Sequence, residues 1–390
     1  YYEIALNYGQ SYNYGSFKLW AGNKLVVVIS KPEDLQIIFN SSKALDKGFL
    51  YNMATKFLGE GLITAPVDKW KIHRQKSKLL IQNLQKEKGK TQPFDILDYA
   101  LDITLNAVCQ TTMDYNLDSQ ADMGFKKCVR IGSELIFNRA TKVWLYPEII
   151  YNLYIKLFDY EKYYTNVQNL PKHVIEKKKN ELAQKFKNKI KTGTDGFETT
   201  SLTVSYCLLL LAIYPDIQDR VYDEIYSILG DSDEPITFEQ TTSLVYLKQV
   251  IHETLRLFPT APVMLRQLQD DVKIITGNHT LLKGTLCGIS PLITHRNPEL
   301  YPNPKSFNPD NFNADNVASR HKYSFIAFSG GPRSCIGMKY SLVFMTVLLS
   351  DVLRNFSVHT DMKLSDIKLN VGVVLHNTVG FPITIQSRKQ

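Results

Sequence analysis

The sequence predicts a mainly α protein with a minor β portion, folded as one domain over residues 1–390. Three observations carry that expectation. Apolar residues make up 44% of the chain and charged residues 22%, enough apolar material for one large core and too much for a disordered chain. From Trp70 to Arg256 apolar residues recur with helical spacing, as in Leu135, Ile136, Arg139 and Val143, or Val221, Ile225 and Leu229. Short alternating segments are confined to the first thirty residues and to the part beyond Arg256, with no repeat and no composition shift that marks a linker.

In chain order, two β-rich segments, Phe17–Ala21 and Lys24–Ile29, flank Gly22 and Asn23, a dipeptide suited to a two-residue hairpin turn. Ser30, Lys31, Pro32 and Glu33 then predict a capping box that opens a helix. After the helical middle, residues 272–275 and 285–289 alternate as strands do. A Pro- and Asn-rich loop covers 297–313, a helix is expected over 338–353, and the tail is β-like.

The formal net charge is +8, which suits a surface facing anionic lipid or an acidic protein and is modest for nucleic acid at this length. No nucleic-acid partner is expected. The five cysteines (Cys109, Cys128, Cys207, Cys287, Cys335) are odd in number, far apart and without a C-x-x-C pair, so neither a disulfide framework nor a zinc site is readable. A reducing compartment follows. The longest apolar run, 206–214, is too short to span a bilayer, and the first residues do not read as a signal peptide, so any membrane anchor is expected outside this chain.

Chemistry concentrates in Phe328-Ser329-Gly330-Gly331-Pro332-Arg333-Ser334-Cys335-Ile336-Gly337. A thiol on a glycine-rich loop, beside Arg333 and at the start of a helix, is in a setting that favours thiolate, the form that ligates metal. The glycines let the backbone approach a flat cofactor. A cysteine taken singly is more often a buried structural residue. Its ten-residue context reverses that, because F-x-x-G-x-R-x-C-x-G resembles the haem-binding signature of the cytochromes P450, the haem-thiolate monooxygenases, at all five fixed positions (Phe328, Gly331, Arg333, Cys335, Gly337). The resemblance implies the cytochrome P450 fold, haem as cofactor, and Cys335 as the axial ligand whose thiolate pushes electron density toward O–O cleavage.

The rest of the chain resembles the same family, in the right motif order, from about Phe17 to Phe381. Glu253 and Arg256, spaced i,i+3 and followed by Leu257-Phe258-Pro259, look like the family's structural E-x-x-R helix, 79 positions before the cysteine. The family adds a third residue, an Arg in F-x-P-E-R-F; here 307–312 reads F-N-P-D-N-F, with Asn311 in its place, as in family-4-type insect members. The network is expected to be weakened or differently satisfied. Trp70, Arg74 and Arg266 fall where the family holds the haem propionates, and Arg suits carboxylates. In Asp195-Gly196-Phe197-Glu198-Thr199-Thr200, which resembles the family's A/G-G-x-D/E-T-T/S, Glu198 and Thr199 become the acid and alcohol that relay protons during oxygen activation. Asp195 stands where family-4 members often carry a Glu esterified to haem, and the shorter side chain argues against that crosslink. Pocket candidates, by position relative to these motifs, are Thr260, Ala261, Val263, Met264, Thr378 and Val379. His295 reads as structural, and the lysines between Pro171 and Thr192 as a solvated face.

Two departures from the family point to internal gaps near 75–92 and 180–195. Phe94 follows Trp70 by only 24 positions, and eight lysines stand where relatives carry the apolar first half of the helix that crosses the haem. Weak haem retention is the expected consequence. The function implied by the resemblance is insertion of one atom of O2 into a lipophilic substrate (fatty acid, hormone, odorant or xenobiotic). Electrons would come from NADPH through NADPH-cytochrome P450 reductase, with cytochrome b5 as a further partner, at the cytoplasmic face of the endoplasmic reticulum membrane. The alternatives are a reductase-independent haem-thiolate isomerase and an inactive, P450-like haem- or lipid-binding remnant.

Overall fold

The computed structural model describes residues 2–21, 24–44, 93–101, 104, 119–163, 196–230, 234, 236–335 and 337–388. Trp70, Arg74, Asp195, the lysine-rich run, the Gly22-Asn23 turn and both expected gaps lie outside these residues. Helix α1 (Tyr2–Ser11) leads into strands β1 (Phe17–Ala21) and β2 (Lys24–Ile29), which pair antiparallel with Ala21 opposite Lys24, as a two-residue connection requires. Helix α2 (Pro32–Asn40) follows, without the expected capping box. Its N-cap residue is Lys31, which makes no side-chain cap, and the Ser30 hydroxyl donates instead to the carbonyls of Tyr14 (2.5 Å) and Gly15 (3.1 Å). Pro32 at the helix start, with Glu33 and Asp34 in the first turn, opens it instead.

Beyond β3 (Phe94–Asp95) the helical body comprises α3 (Ser119–Thr141), α4 (Glu148–Leu157), α5 (Gly196–Ile213), α6 (Pro215–Leu229), α7 (Phe238–Ser243) and α8 (Val245–Leu257). Helix α5 is apolar on every side from Leu202 to Leu211 and buried there, the pattern of a helix inside a core rather than on its surface. Its hydroxyls turn back onto their own helix, Thr203 Oγ1 to the Thr199 carbonyl (2.8 Å) and Ser205 Oγ to that of Ser201 (2.9 Å), so they are buried without loss of partners. Helix α6 buries Val221, Ile225 and Leu229 against it, the stripe the sequence spacing predicts. Tyr206 of α5 stacks on Phe258 (4.6 Å between centroids) and meets Phe381 edge-on (4.8 Å).

The C-terminal third carries β4 (Met264–Gln267), β5 (Val272–Lys273), β6 (Thr280–Leu281), β7 (Leu286–Ile289), α9 (Pro291–Thr294) and α10 (Ala314–Ser319). After these come α11 (Met338–Asn355), β8 (Phe356–His359), β9 (Leu369–Val371), β10 (Leu375–Asn377) and β11 (Pro382–Ser387). The strand expected over 272–275 stops at Lys273, because the chain turns through Gly277 at φ 68° and Ile274 N–H bonds to the His279 carbonyl (2.9 Å). The main sheet has the order β1-β2-β7-β4, with β2 and β7 parallel and the other pairs antiparallel. Its inner face packs on α2 as a second core, through Ile29, Leu35, Ile38, Phe39 and Ile289. The architecture is mainly helical with a smaller strand portion, as predicted.

Candidate active site

The segment from Tyr323 to Gly337 lies between the two cores: Tyr323 and Ile326 belong to the sheet core, while Phe325, Ala327 and Phe328 pack on the helical one. Burial on both sides pins the entry to a loop that is itself open to solvent. The Cys335 N–H returns to the Phe328 carbonyl (2.8 Å), and Ser334 N–H to that of Gly331 (3.0 Å), which closes the loop on itself. Gly331 sits at φ +64°, and a Cβ there would lie 1.9 Å from the Phe39 carbonyl oxygen, so no other residue fits. Ser329 adopts the same region (φ 64°), a conformation costing a non-glycine residue about 1 kcal/mol. The hydrogen bond that its hydroxyl accepts from Arg266 Nη2 (2.9 Å) helps hold it there. Arg266 is buried, also donates to the Leu265 carbonyl (2.9 Å), and lies 5.5 Å from the centre of the Phe39 ring. Arg333 and Cys335 are exposed, and a Cβ on Gly337 would stand 3.9 Å from the Cys335 sulfur. Cys128, Cys207 and Cys287 are buried, and burial pushes the Cys207 and Cys287 thiols up to about 12. Those two are chemically inert; Cys335 is the thiol presented outward.

Behind the loop, Glu253 and Arg256 are fully buried on α8 and paired through both guanidinium arms, Nε to Oε2 and Nη2 to Oε1, each 2.7 Å. The remaining arginine protons reach the carbonyls of His295 (3.0 Å), Pro304 (2.7 Å) and Ser306 (2.8 Å), which ties α8 to the Pro- and Asn-rich loop. Glu253 Oε1 accepts in addition the Asn308 N–H (2.8 Å) and Asn311 Nδ2 (3.2 Å). Burial raises the Glu253 carboxyl above its ordinary range, and Arg256, Asn308 and Asn311 oppose that rise. Asn311 thus joins the network as a neutral donor. A second guanidinium comes from a place the sequence did not suggest: Arg320 donates to the Asn311 carbonyl and lies 4.3 Å from the centre of the Tyr301 ring, which also stands 5.0 Å from the Arg256 guanidinium. The network is complete but differently built.

His295 is structural, as expected, and couples these two regions. Its Nε2 accepts the Ile326 N–H (2.9 Å), which assigns the ring proton to Nδ1, facing the Arg256 carbonyl (3.3 Å); the ring stacks on Phe325 (5.1 Å). Burial, with Arg256 and Arg296 beside it, drives its pKa down to about 3. The folded state therefore holds a neutral imidazole where the unfolded chain, with a pKa near 6.5, takes a proton. This contribution is fully present above pH ~6.5 and lost as pH falls toward 3, at about 1.4 kcal/mol per pH unit. Burial lowers the His252 pKa too, adding a term of the same sign. Denaturant unfolding at pH 7, 6 and 5 should show wild type losing stability more steeply than His295→Gln. Parallel slopes would remove His295 from this role.

Glu198 and Thr199 lie in the first turn of α5, and both are half-buried. Glu198 Oε2 faces Ser133 Oγ of α3 at 3.5 Å, and Oε1 faces His376 Nε2 of β10 at 3.5 Å. Thr104 Oγ1 and Ser201 Oγ bond to each other one turn further on. Of the pocket candidates, Thr260 and Met264 are buried, and Val263 and Val379 are exposed. The Thr260 carbonyl accepts the Leu375 N–H (3.1 Å), which fastens the β9–β10 hairpin to the exit of α8, and Thr378 bonds to the Lys368 carbonyl at its base. His376, in no recognisable motif, is the residue the sequence reading missed.

A family profile described as Cytochrome P450 matches residues 190–381. The chain is 31% identical over 430 residues to cytochrome P450 4c21 of Blattella germanica, covering 94% of this chain and 84% of that protein. It is 27% identical over 491 residues to cytochrome P450 4g15 of Drosophila melanogaster (95% and 85% covered). Cytochrome P450 4V2 of Homo sapiens is 27% identical over 451 residues (100% and 85% covered). These alignments are longer than the 390-residue chain, so the relatives hold segments that have no counterpart here. With the motif order, the thiol loop and these matches in agreement, the chain belongs to the cytochrome P450 family and is a haem-thiolate monooxygenase.

Proposed function

We propose that this chain oxygenates a lipophilic substrate, a fatty acid, hormone, odorant or xenobiotic, with electrons delivered from NADPH by NADPH-cytochrome P450 reductase, aided by cytochrome b5. The observation that carries the reading is the outward thiol of Cys335, on a loop whose glycines bring backbone to within contact of its neighbours. The residues present fit the family's haem: one accessible sulfur donor, a loop beside it too close-packed for Cβ atoms, and arginines at hand for two carboxylates. Bound haem supplies the iron at which O2 is reduced and one oxygen atom transferred. Cys335 would supply the sulfur that holds its iron. Phe328, Gly331, Arg333 and Gly337 would shape the loop beside the ring, and Arg266, together with Trp70 and Arg74 by resemblance to the family, would hold the propionates. Arg266 also fixes the loop through Ser329.

Glu198 and Thr199 at the start of α5 are the polar groups that admit protons to the reacting centre. A carboxyl handing a proton to a neighbouring hydroxyl moves it without letting bulk water in. Thr199→Ala is expected to leave haem content near normal while product per NADPH falls several-fold, because the relay and not the iron site is damaged. Stoichiometric assay with reductase and a lipophilic substrate checks this; unchanged coupling would remove Thr199 from the relay. The same assay run with peroxide in place of NADPH separates a monooxygenase from a haem-thiolate isomerase.

Location at the endoplasmic reticulum membrane belongs to the same proposal. No single helix among the described residues is long and apolar enough to cross a membrane. The segment 143–158 instead exposes Trp144 (65%), Ile149 (84%), Leu153, Leu157 and Phe158, with Lys142 and Lys156 among them. Such a patch with basic residues suits a surface resting on anionic lipid.

A further inference from the structure

We propose that His376 is the residue through which Glu198 exchanges protons with solvent. The inference rests on the assignment of Glu198 to proton delivery and adds the step before it. A carboxyl that gives up a proton in each turnover must regain one, and the hydroxyl residues that follow Thr199 on α5, Thr200, Ser201, Thr203 and Ser205, are buried away from solvent. Glu198 itself is nearly enclosed, its side chain 12% exposed, whereas that of His376 is 23% exposed and stands 3.5 Å away through Nε2. His376 is the more solvent-exposed member of the pair. An imidazole can take a proton on one nitrogen and give one up, so it can pass protons between water and a carboxyl. The exchange balances without a further reactant: protonated Nε2 gives its proton to Glu198 Oε1, leaving neutral imidazole and a carboxylic acid, and the imidazole takes the next proton from water.

The surroundings leave Glu198 as the acid that His376 serves. It is the only acid within ion-pair distance of His376 among the described residues. Asn370, the cross-strand neighbour of His376 in the β9–β10 pair, carries no charge. Lys368 lies at the hairpin's base, with its carbonyl engaged by Thr378. On α3 the group facing Glu198 is the uncharged Ser133, while Arg130 of that helix acts on Asp95, as does Asp98. The 3.5 Å separation is within reach of direct transfer after a small side-chain rotation, or of transfer through one water. The hairpin, held to α8 by the bond from Leu375 N–H to the Thr260 carbonyl, keeps the imidazole at this distance.

Two measurements on the holoenzyme test the proposal. The first needs no turnover: carbethoxylation of His376, followed by peptide mass spectrometry at pH 7, should run several-fold faster in Glu198→Ala than in wild type, because Nε2 has then lost its carboxylate partner. The second is product per NADPH from pH 6 to 9. His376→Gln should lower it several-fold and flatten its pH dependence, and added imidazole should restore part of it in His376→Gly. Equal carbethoxylation rates, or full coupling in His376→Gln beside a Glu198→Gln that uncouples, would overturn the inference and leave the role of Glu198 standing. Full coupling in Glu198→Gln would instead remove the reading on which it rests, and the inference with it.

Discussion

Cys335→Ser is expected to abolish thiolate ligation completely. A neutral hydroxyl is a poor donor to ferric iron, and the other cysteines among the described residues, Cys128, Cys207 and Cys287, are buried. The backbone bonds from Cys335 N–H to Phe328 and from Ser334 N–H to Gly331 do not involve the sulfur, so the fold should survive the change. Circular dichroism should therefore match wild type while the thiolate spectrum disappears. A variant that kept an unaltered thiolate spectrum would show that another residue is the ligand.

The second large effect is on the folded state. Arg256→Ala removes the five hydrogen bonds that its guanidinium makes to Glu253, His295, Pro304 and Ser306. It leaves a buried carboxylate held only by Asn308 and Asn311. Breaking one side of a buried ion pair costs about 3–5 kcal/mol, a large share of the ~5–15 kcal/mol that holds a typical domain. Loss of folded, haem-retaining protein is expected, with Arg256→Lys intermediate because an ammonium cannot reproduce the fork. The check is the haem-to-protein ratio and the melting temperature of the purified variants. Normal values in Arg256→Ala would mean that Arg320 and Asn311 carry the network without it.

The chemistry-bearing loop was legible in the sequence because its marked residues stand within ten positions of one another, although the contact that excludes a side chain at Gly331 comes from distant Phe39. The E-x-x-R pair was legible for the same reason, being one helical turn apart. What the sequence could not show were partners brought in from afar. Arg320 reaches the network from beyond Asn311, and His376 meets Glu198 across 178 positions by virtue of the β9–β10 hairpin. The capping box failed through a similar competition, since Ser30 found the carbonyls of Tyr14 and Gly15 in the preceding turn before its own helix. The alternating run at 272–275 was cut short by the turn at Gly277, a tertiary constraint that alternation does not encode.

The measurement that tests the central claim most directly is the absorption spectrum of the purified protein, reduced and exposed to carbon monoxide. A haem bound through Cys335 as thiolate gives the red-shifted Soret band of that ligation, absent from Cys335→Ser. No band, or one of imidazole-type ligation that persists in Cys335→Ser, would contradict the assignment of a haem-thiolate centre to this loop.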